Sequence, residues 1–112
     1  MKLEKTEVSG ILVMRLEAKR LLAQDAPDFK EQMLEAIDGT EGRVLLDMEP
    51  VEFVDSSGLG AMVAVFKQAR EKGGLELCCL HQNVRSLLKL TRMDRVFKTY
   101  PDRAAAIEGS EQ

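Results

Sequence analysis

The segment Asp55-Ser56-Ser57-Gly58 places two hydroxyls in tandem behind a carboxylate and ahead of a glycine. Three chemistries are open to such a loop. A nucleophilic serine needs a base, and the chain has a single histidine, His81, and no Gly-x-Ser-x-Gly elbow around the serines. A phosphate-cradling loop needs a Gly-Lys-Ser/Thr or Gly-x-Gly-x-x-Gly pattern, and Gly58-Leu59-Gly60 is only a fragment of one. The third chemistry, accepting a phosphate from another protein, requires only an exposed hydroxyl on a loop. Beside these stands a purely structural reading: Asp55, Ser56 and Ser57 are all good helix-capping residues. Gly58 suits a tight turn or a close approach of helix to sheet.

Other chemistry-bearing residues are few. Cys78 and Cys79 are adjacent, so on a strand their side chains would point to opposite faces, and they do not form a disulfide framework. One histidine and the lack of Cys-x-x-Cys argue against a zinc site. No cofactor motif is found. The formal net charge of −3 disfavours nucleic acid as the principal partner. Carboxylates gather between Asp25 and Asp55 and cations between Arg85 and Arg103, which reads as two solvated faces or as a polar docking surface. No apolar run reaches the roughly 20 residues of a membrane span, and Met1-Lys2-Leu3-Glu4-Lys5 lacks the apolar centre of a signal peptide. The expected setting is the reducing cytoplasm.

The elements that must position the serine loop follow from periodicity. Residues 2–8 and Ile11–Leu16 read as a hairpin around Ser9-Gly10. Glu17 to Gln24 has no clear period. Asp25 reads as the N-cap of a helix with Pro27 in its first turn and Phe29, Met33, Ala36 and Ile37 on its apolar face. Gly39 is expected to end it in a left-handed conformation. Arg43–Met48 is an apolar strand, suggesting parallel pairing with both faces buried. The connection 49–54 carries two or three buried anchors. A second helix follows the serine loop, with Leu59, Met62, Val63 and Phe66 inward, and stops at Gly73-Gly74. Leu75–Leu80 is a strand, and Asn83 caps a third helix with Val84, Leu87 and Leu88 inward. Val96–Tyr100 is a short strand, and Pro101 opens a last helix. The order ββαβαβαβα means one α/β domain. Its mixed sheet of four to five strands is mostly parallel, with an antiparallel N-terminal edge strand and about four helices. The domain is expected over 1–108, with a frayed tail at 109–112.

The segment Phe53-Val54-Asp55-Ser56-Ser57-Gly58-Leu59-Gly60 closely resembles the signature loop of bacterial anti-sigma factor antagonists, which are single STAS domains. Val44–Met48 resembles the strand before that loop, Lys72-Gly73-Gly74-Leu75 the helix-to-strand turn, and Val84-Arg85-Ser86-Leu87-Leu88 the third helix. The resemblance covers residues 40–100 well and the first 40 in outline. It implies that Ser56 is phosphorylated and that Asp55, Ser56, Ser57, Gly58 and Leu59 form the partner-binding loop. It implies two partners: an anti-sigma factor that is also a serine kinase of the histidine-kinase-like ATPase fold, and a PP2C-type phosphatase. The chain itself would be a monomeric substrate of these and not an enzyme. The alternative that the resemblance leaves open is a constitutive scaffold subunit of the same fold, binding a transporter ATPase or another partner without phosphate chemistry. The chain departs from the family pattern at Glu17–Leu22, where Ala18 replaces a glycine and an apolar residue replaces an acidic one. It departs again at Gln82-Asn83, in place of a proline, and at Met93-Asp94, in place of Gly-Leu.

Overall fold

The computed structural model describes residues 1–109. Apart from Gly109, which is buried, the tail expected at 109–112 lies outside the described residues. Strands β1 (Leu3–Val8) and β2 (Ile11–Leu16) pair antiparallel. Ser9 and Gly10 between them both have positive φ, as a two-residue hairpin turn of the mirror-image type requires. Helix α1 (Ala26–Asp38) leads to β4 (Val44–Asp47), and α2 (Ser56–Ala69) to β6 (Leu75–Cys78). Helix α3 (Gln82–Leu90), a 3-10 turn (Met93–Arg95), β7 (Thr99–Tyr100) and α4 (Arg103–Glu108) complete the chain. The main sheet has five strands in the order β1-β2-β4-β6-β7, parallel except at β1. A second, two-stranded sheet pairs β3 (Arg20–Leu21) with β5 (Phe53–Val54) in parallel. β3 falls in the stretch that shows no period, because two residues are too few to display alternation.

Side chains alternate across the sheet and split the core in two. Leu12, Met14, Leu16, Val44, Leu46, Leu75 and Leu77 pack with Phe29 and Met33 of α1, Met62 and Val65 of α2, and Val84 and Leu88 of α3. Ile11, Val13, Leu45, Cys78 and Tyr100 face the other way and are covered by Ala106 of α4. Four capping details differ from expectation. Gly39 sits at φ −86°, outside the left-handed region, whereas Gly74 has φ +94°. Asp25 does not cap α1 with its side chain; its carboxylate turns back to accept from the Leu22 N–H at 3.0 Å. Asn83 lies inside α3 and donates to the Glu52 carbonyl instead of capping. Pro101 precedes α4, whose cap is Asp102, accepting from the Ala105 N–H at 2.8 Å.

The α4 face holds a buried charge. Asp47, 2% exposed, accepts from Arg103 Nε at 2.8 Å, Arg15 Nη1 at 3.4 Å and the Glu49 N–H at 3.0 Å. Arg43 adds a bond to the Ala106 carbonyl at 2.8 Å, so two arginine contacts fix α4 to the sheet. Burial raises the Asp47 carboxyl, but the Glu49 N–H and Arg103 outweigh it and hold the group below its ordinary range.

A depressed carboxyl contributes stability that is complete above its unfolded value, about pH 4, and is lost as pH falls through its folded value. Asp47→Asn is expected to lower the unfolding free energy at neutral pH by about 2–3 kcal/mol. That is near the low end for a broken buried pair, because both arginines keep contact with water. As pH falls below about 4 the variant should lose less stability than the native chain, measured by denaturant unfolding.

Candidate functional site

The tandem serines open α2, and their surroundings come from three separate stretches of chain. Asp55 has extended backbone and is the N-cap. Its Oδ1 accepts from the Gly58 N–H at 2.8 Å, and its Oδ2 accepts from the Ala23 N–H at 2.9 Å. One carboxylate therefore caps the helix and ties down the segment after β3. The backbone repeats the link: Asp55 N donates to the Leu21 carbonyl at 3.2 Å, and Glu52 N to the Lys19 carbonyl at 2.7 Å.

Capping is thus the work of Asp55. Ser56 and Ser57 are exposed, and among the described residues no hydrogen bond engages either hydroxyl. They occupy the first two helical positions, where backbone N–H groups lack intrahelical acceptors and the helix dipole is positive. Such a position tolerates an anion. Gly58 and Leu59 are buried, so of the five loop residues only Ser56 and Ser57 present an open surface, with Asp55 half-buried between them and the core.

Gly58 is fixed by packing. A Cβ there would lie 2.4 Å from the Leu21 carbonyl oxygen and about 3 Å from side-chain atoms of Leu21 and Val54. The first turn of α2 thus rests directly on the β3 backbone. Leu21 is fully buried and acts as core, while Leu22 is half-buried.

The surface around the serines is varied. Phe53, on the outer side of β5, is 49% exposed, beside exposed Arg20 across the strand pair. On the other side a groove of about 800 Å³ runs between α1 and α2. Its walls include Pro27, Leu34, Ser57, Gly60, Ala61 and Ala64. Sequence reasoning missed Phe53 as a surface residue, since an aromatic next to a buried valine carries no signal of which way it points.

The remaining candidates lie elsewhere. His81, the lone candidate base, is hydrogen-bonded to the Glu49 carbonyl oxygen. Cys78 and Cys79 do not point to opposite faces. Cys79 lies just past the end of β6 at φ +64°, which brings its sulfur within 3.6 Å of Cys78 Sγ. Burial pushes both thiols up, so neither is an activated nucleophile.

Comparison with known proteins agrees with this architecture. The STAS domain family matches residues 2–106. The chain is 29% identical over 101 residues to the anti-sigma F factor antagonist of Paenibacillus polymyxa, covering 88% of this chain and 85% of that one. An anti-sigma-factor antagonist (STAS) domain protein from Planctomyces limnophilus superposes with a TM-score of 0.90 at 25% identity, over 98% of both chains. The antagonist SpoIIAA in its unphosphorylated form has the same fold, with a TM-score of 0.77 at 16% identity, over 99% of this chain and 98% of that one.

Gly58→Ala is expected to cost about 1–3 kcal/mol, because the methyl meets backbone that cannot swing aside. Thermal unfolding checks this. Gly60→Ala on the same helix, with open space at the Cβ position, should be neutral or slightly stabilising.

Proposed function

The chain belongs to the STAS domain family, and from that premise we propose that it is an anti-sigma factor antagonist switched by phosphorylation of Ser56. The observation that carries this reading is the division of labour at the start of α2. Asp55 does the capping, which leaves the Ser56 hydroxyl exposed and uncommitted on a rigid platform. The name of the Paenibacillus relative supports the antagonist role. The structure of SpoIIAA in its phosphorylated form, similar to this chain in fold over 96% of its length with a TM-score of 0.70, supports the phosphorylation part of the reading.

In this reading the unmodified chain binds an anti-sigma factor that is also a serine kinase of the histidine-kinase-like ATPase fold. The kinase phosphorylates Ser56, and a PP2C-type phosphatase removes the phosphate. The chain performs no catalysis and is the substrate of both enzymes. Exposed Ser56, Ser57 and Phe53 supply the contact surface, while buried Gly58 and Leu59 hold the loop in place.

Charge alone suffices for the switch. A phosphoserine adds about −1.5 to −2 charges at neutral pH. The N-terminal turn of α2 offers it free amides and a favourable dipole, so the fold has no reason to open. An interface has less tolerance. Repulsion from one like charge about 5 Å away is roughly 3 kcal/mol at an effective dielectric near 20. With tenfold in affinity for each 1.4 kcal/mol, the loss is on the order of a hundredfold.

The test compares native chain, Ser56→Ala and Ser56→Asp as baits in a pull-down from source-cell lysate, followed by affinity measurement on the purified prey. Native and Ser56→Ala baits are expected to retain an ATPase of the histidine-kinase-like fold, and Ser56→Asp to bind it on the order of a hundredfold more weakly. Equal retention of a transporter ATPase by all three baits would sink the proposal in favour of the constitutive scaffold.

A further inference from the structure

We propose that Cys78, Cys79 and Asp47 form a binding site for a thiophilic divalent cation of the zinc or cadmium type, held by two thiolates and one carboxylate. The three donor groups lie within 4.8 Å of one another, at the C-terminal ends of β4 and β6. The sulfurs are 3.6 Å apart. A tetrahedral ion with Zn–S bonds near 2.3 Å places its two sulfurs about 3.8 Å apart, so the pair already stands close to the bite of a single ion.

The geometry is held by backbone on every side. Cys78 is in register with Asp47 and with Tyr100. Its carbonyl accepts from Met48 N at 3.1 Å, and Cys79 N donates to the Tyr100 carbonyl at 3.2 Å. The left-handed backbone at Cys79, unusual outside glycine, is what turns the second sulfur toward the first. Asp47 Oδ2 takes both arginines and its Oδ1 the Glu49 N–H, and the Cys79 thiol also hydrogen-bonds to this carboxylate, a bond whose proton a metal ion would replace. Cys78 is sealed, but Cys79 is partly exposed and gives the ion a way in.

A disulfide is the competing fate of two close thiols, and here it is disfavoured. Consecutive Cα atoms across a trans peptide are about 3.8 Å apart, shorter than the roughly 4.4–6.8 Å that unstrained disulfides span. The dithiol therefore stays available for a metal. Binding is a redox-neutral exchange. Two S–H bonds break, two sulfur–metal bonds form, and both protons pass to solvent. Two positive charges arrive and two leave, so the cluster of Asp47, Arg15, Arg103, Glu17 and Glu49 keeps its net charge. With three protein donors, a fourth position is left for water or a partner's side chain.

The test titrates the full chain with cadmium chloride in weak buffer and a phosphine reductant. It follows the ultraviolet thiolate-to-cadmium charge-transfer band and the protons released. One ion per chain with two protons released is expected, with zinc competing for the site and Cys79→Ser weakening binding by at least about tenfold. Absence of the band, or equal affinity in Cys79→Ser, overturns the proposal. If Cys79→Ser does not fold by circular dichroism, the proton count on the native chain decides, and fewer than two protons per ion overturns it.

Discussion

The Asp55 carboxylate is the interaction on which the serine loop depends. Its two oxygens act separately, one closing the first turn of α2 and the other holding the Ala23 amide. The loop is therefore pinned both to its own helix and to a segment 32 residues earlier in the chain. Fixing a loop in this way removes conformational freedom that a partner would otherwise have to remove on binding. It also releases the neighbouring hydroxyls from structural duty. A serine occupied in capping is a poor phosphoacceptor, because modification would break the cap; here the cap is a carboxylate that no kinase alters.

Around that point the fold is a support. The small β3–β5 sheet raises the loop on a platform, and Gly58 lets α2 sit directly against the Leu21 backbone. The α4 face of the larger sheet carries a buried carboxylate paired with two partly exposed arginines in place of a purely aliphatic layer. With Asp47 satisfied by two arginines and a backbone amide, that polar centre is compatible with burial. The carboxylate that orients α4 also stands beside two sulfurs, so the C-terminal helix and the dithiol share one anchor.

Much of this was legible in the sequence. The apolar run of β4, the 3.6-residue spacing in α1 and the Ser9-Gly10 turn rest on local rules and formed where those rules put them, whereas α2 ends at Ala69, short of Gly73-Gly74, and buries Val65 fully while Val63 and Phe66 are half-buried. The Asp55-Ser56-Ser57-Gly58 loop was equally plain, since its residue types cluster between a strand and a helix. Local rules also explain the misses. Asp25 and Asn83 are sound capping residues by type, but Asp25 turns back to the Leu22 amide in a local turn, and Asn83 takes the Glu52 carbonyl that the tertiary fold brings to it.

The sequence by itself determined the class of fold, the order of elements and the stretch that carries the serines, because hydrophobic period and turn chemistry act between near neighbours. Only the tertiary structure decided which of three capping residues does the capping, that β3 exists at all, and that adjacent cysteines meet beside Asp47. Those outcomes rest on hydrogen bonds and contacts between residues about 30 apart, and on one left-handed backbone angle at Cys79. The physical reason is that a polar side chain takes the best-placed partner in space, and spatial neighbours are set by how the sheet brings distant strands together.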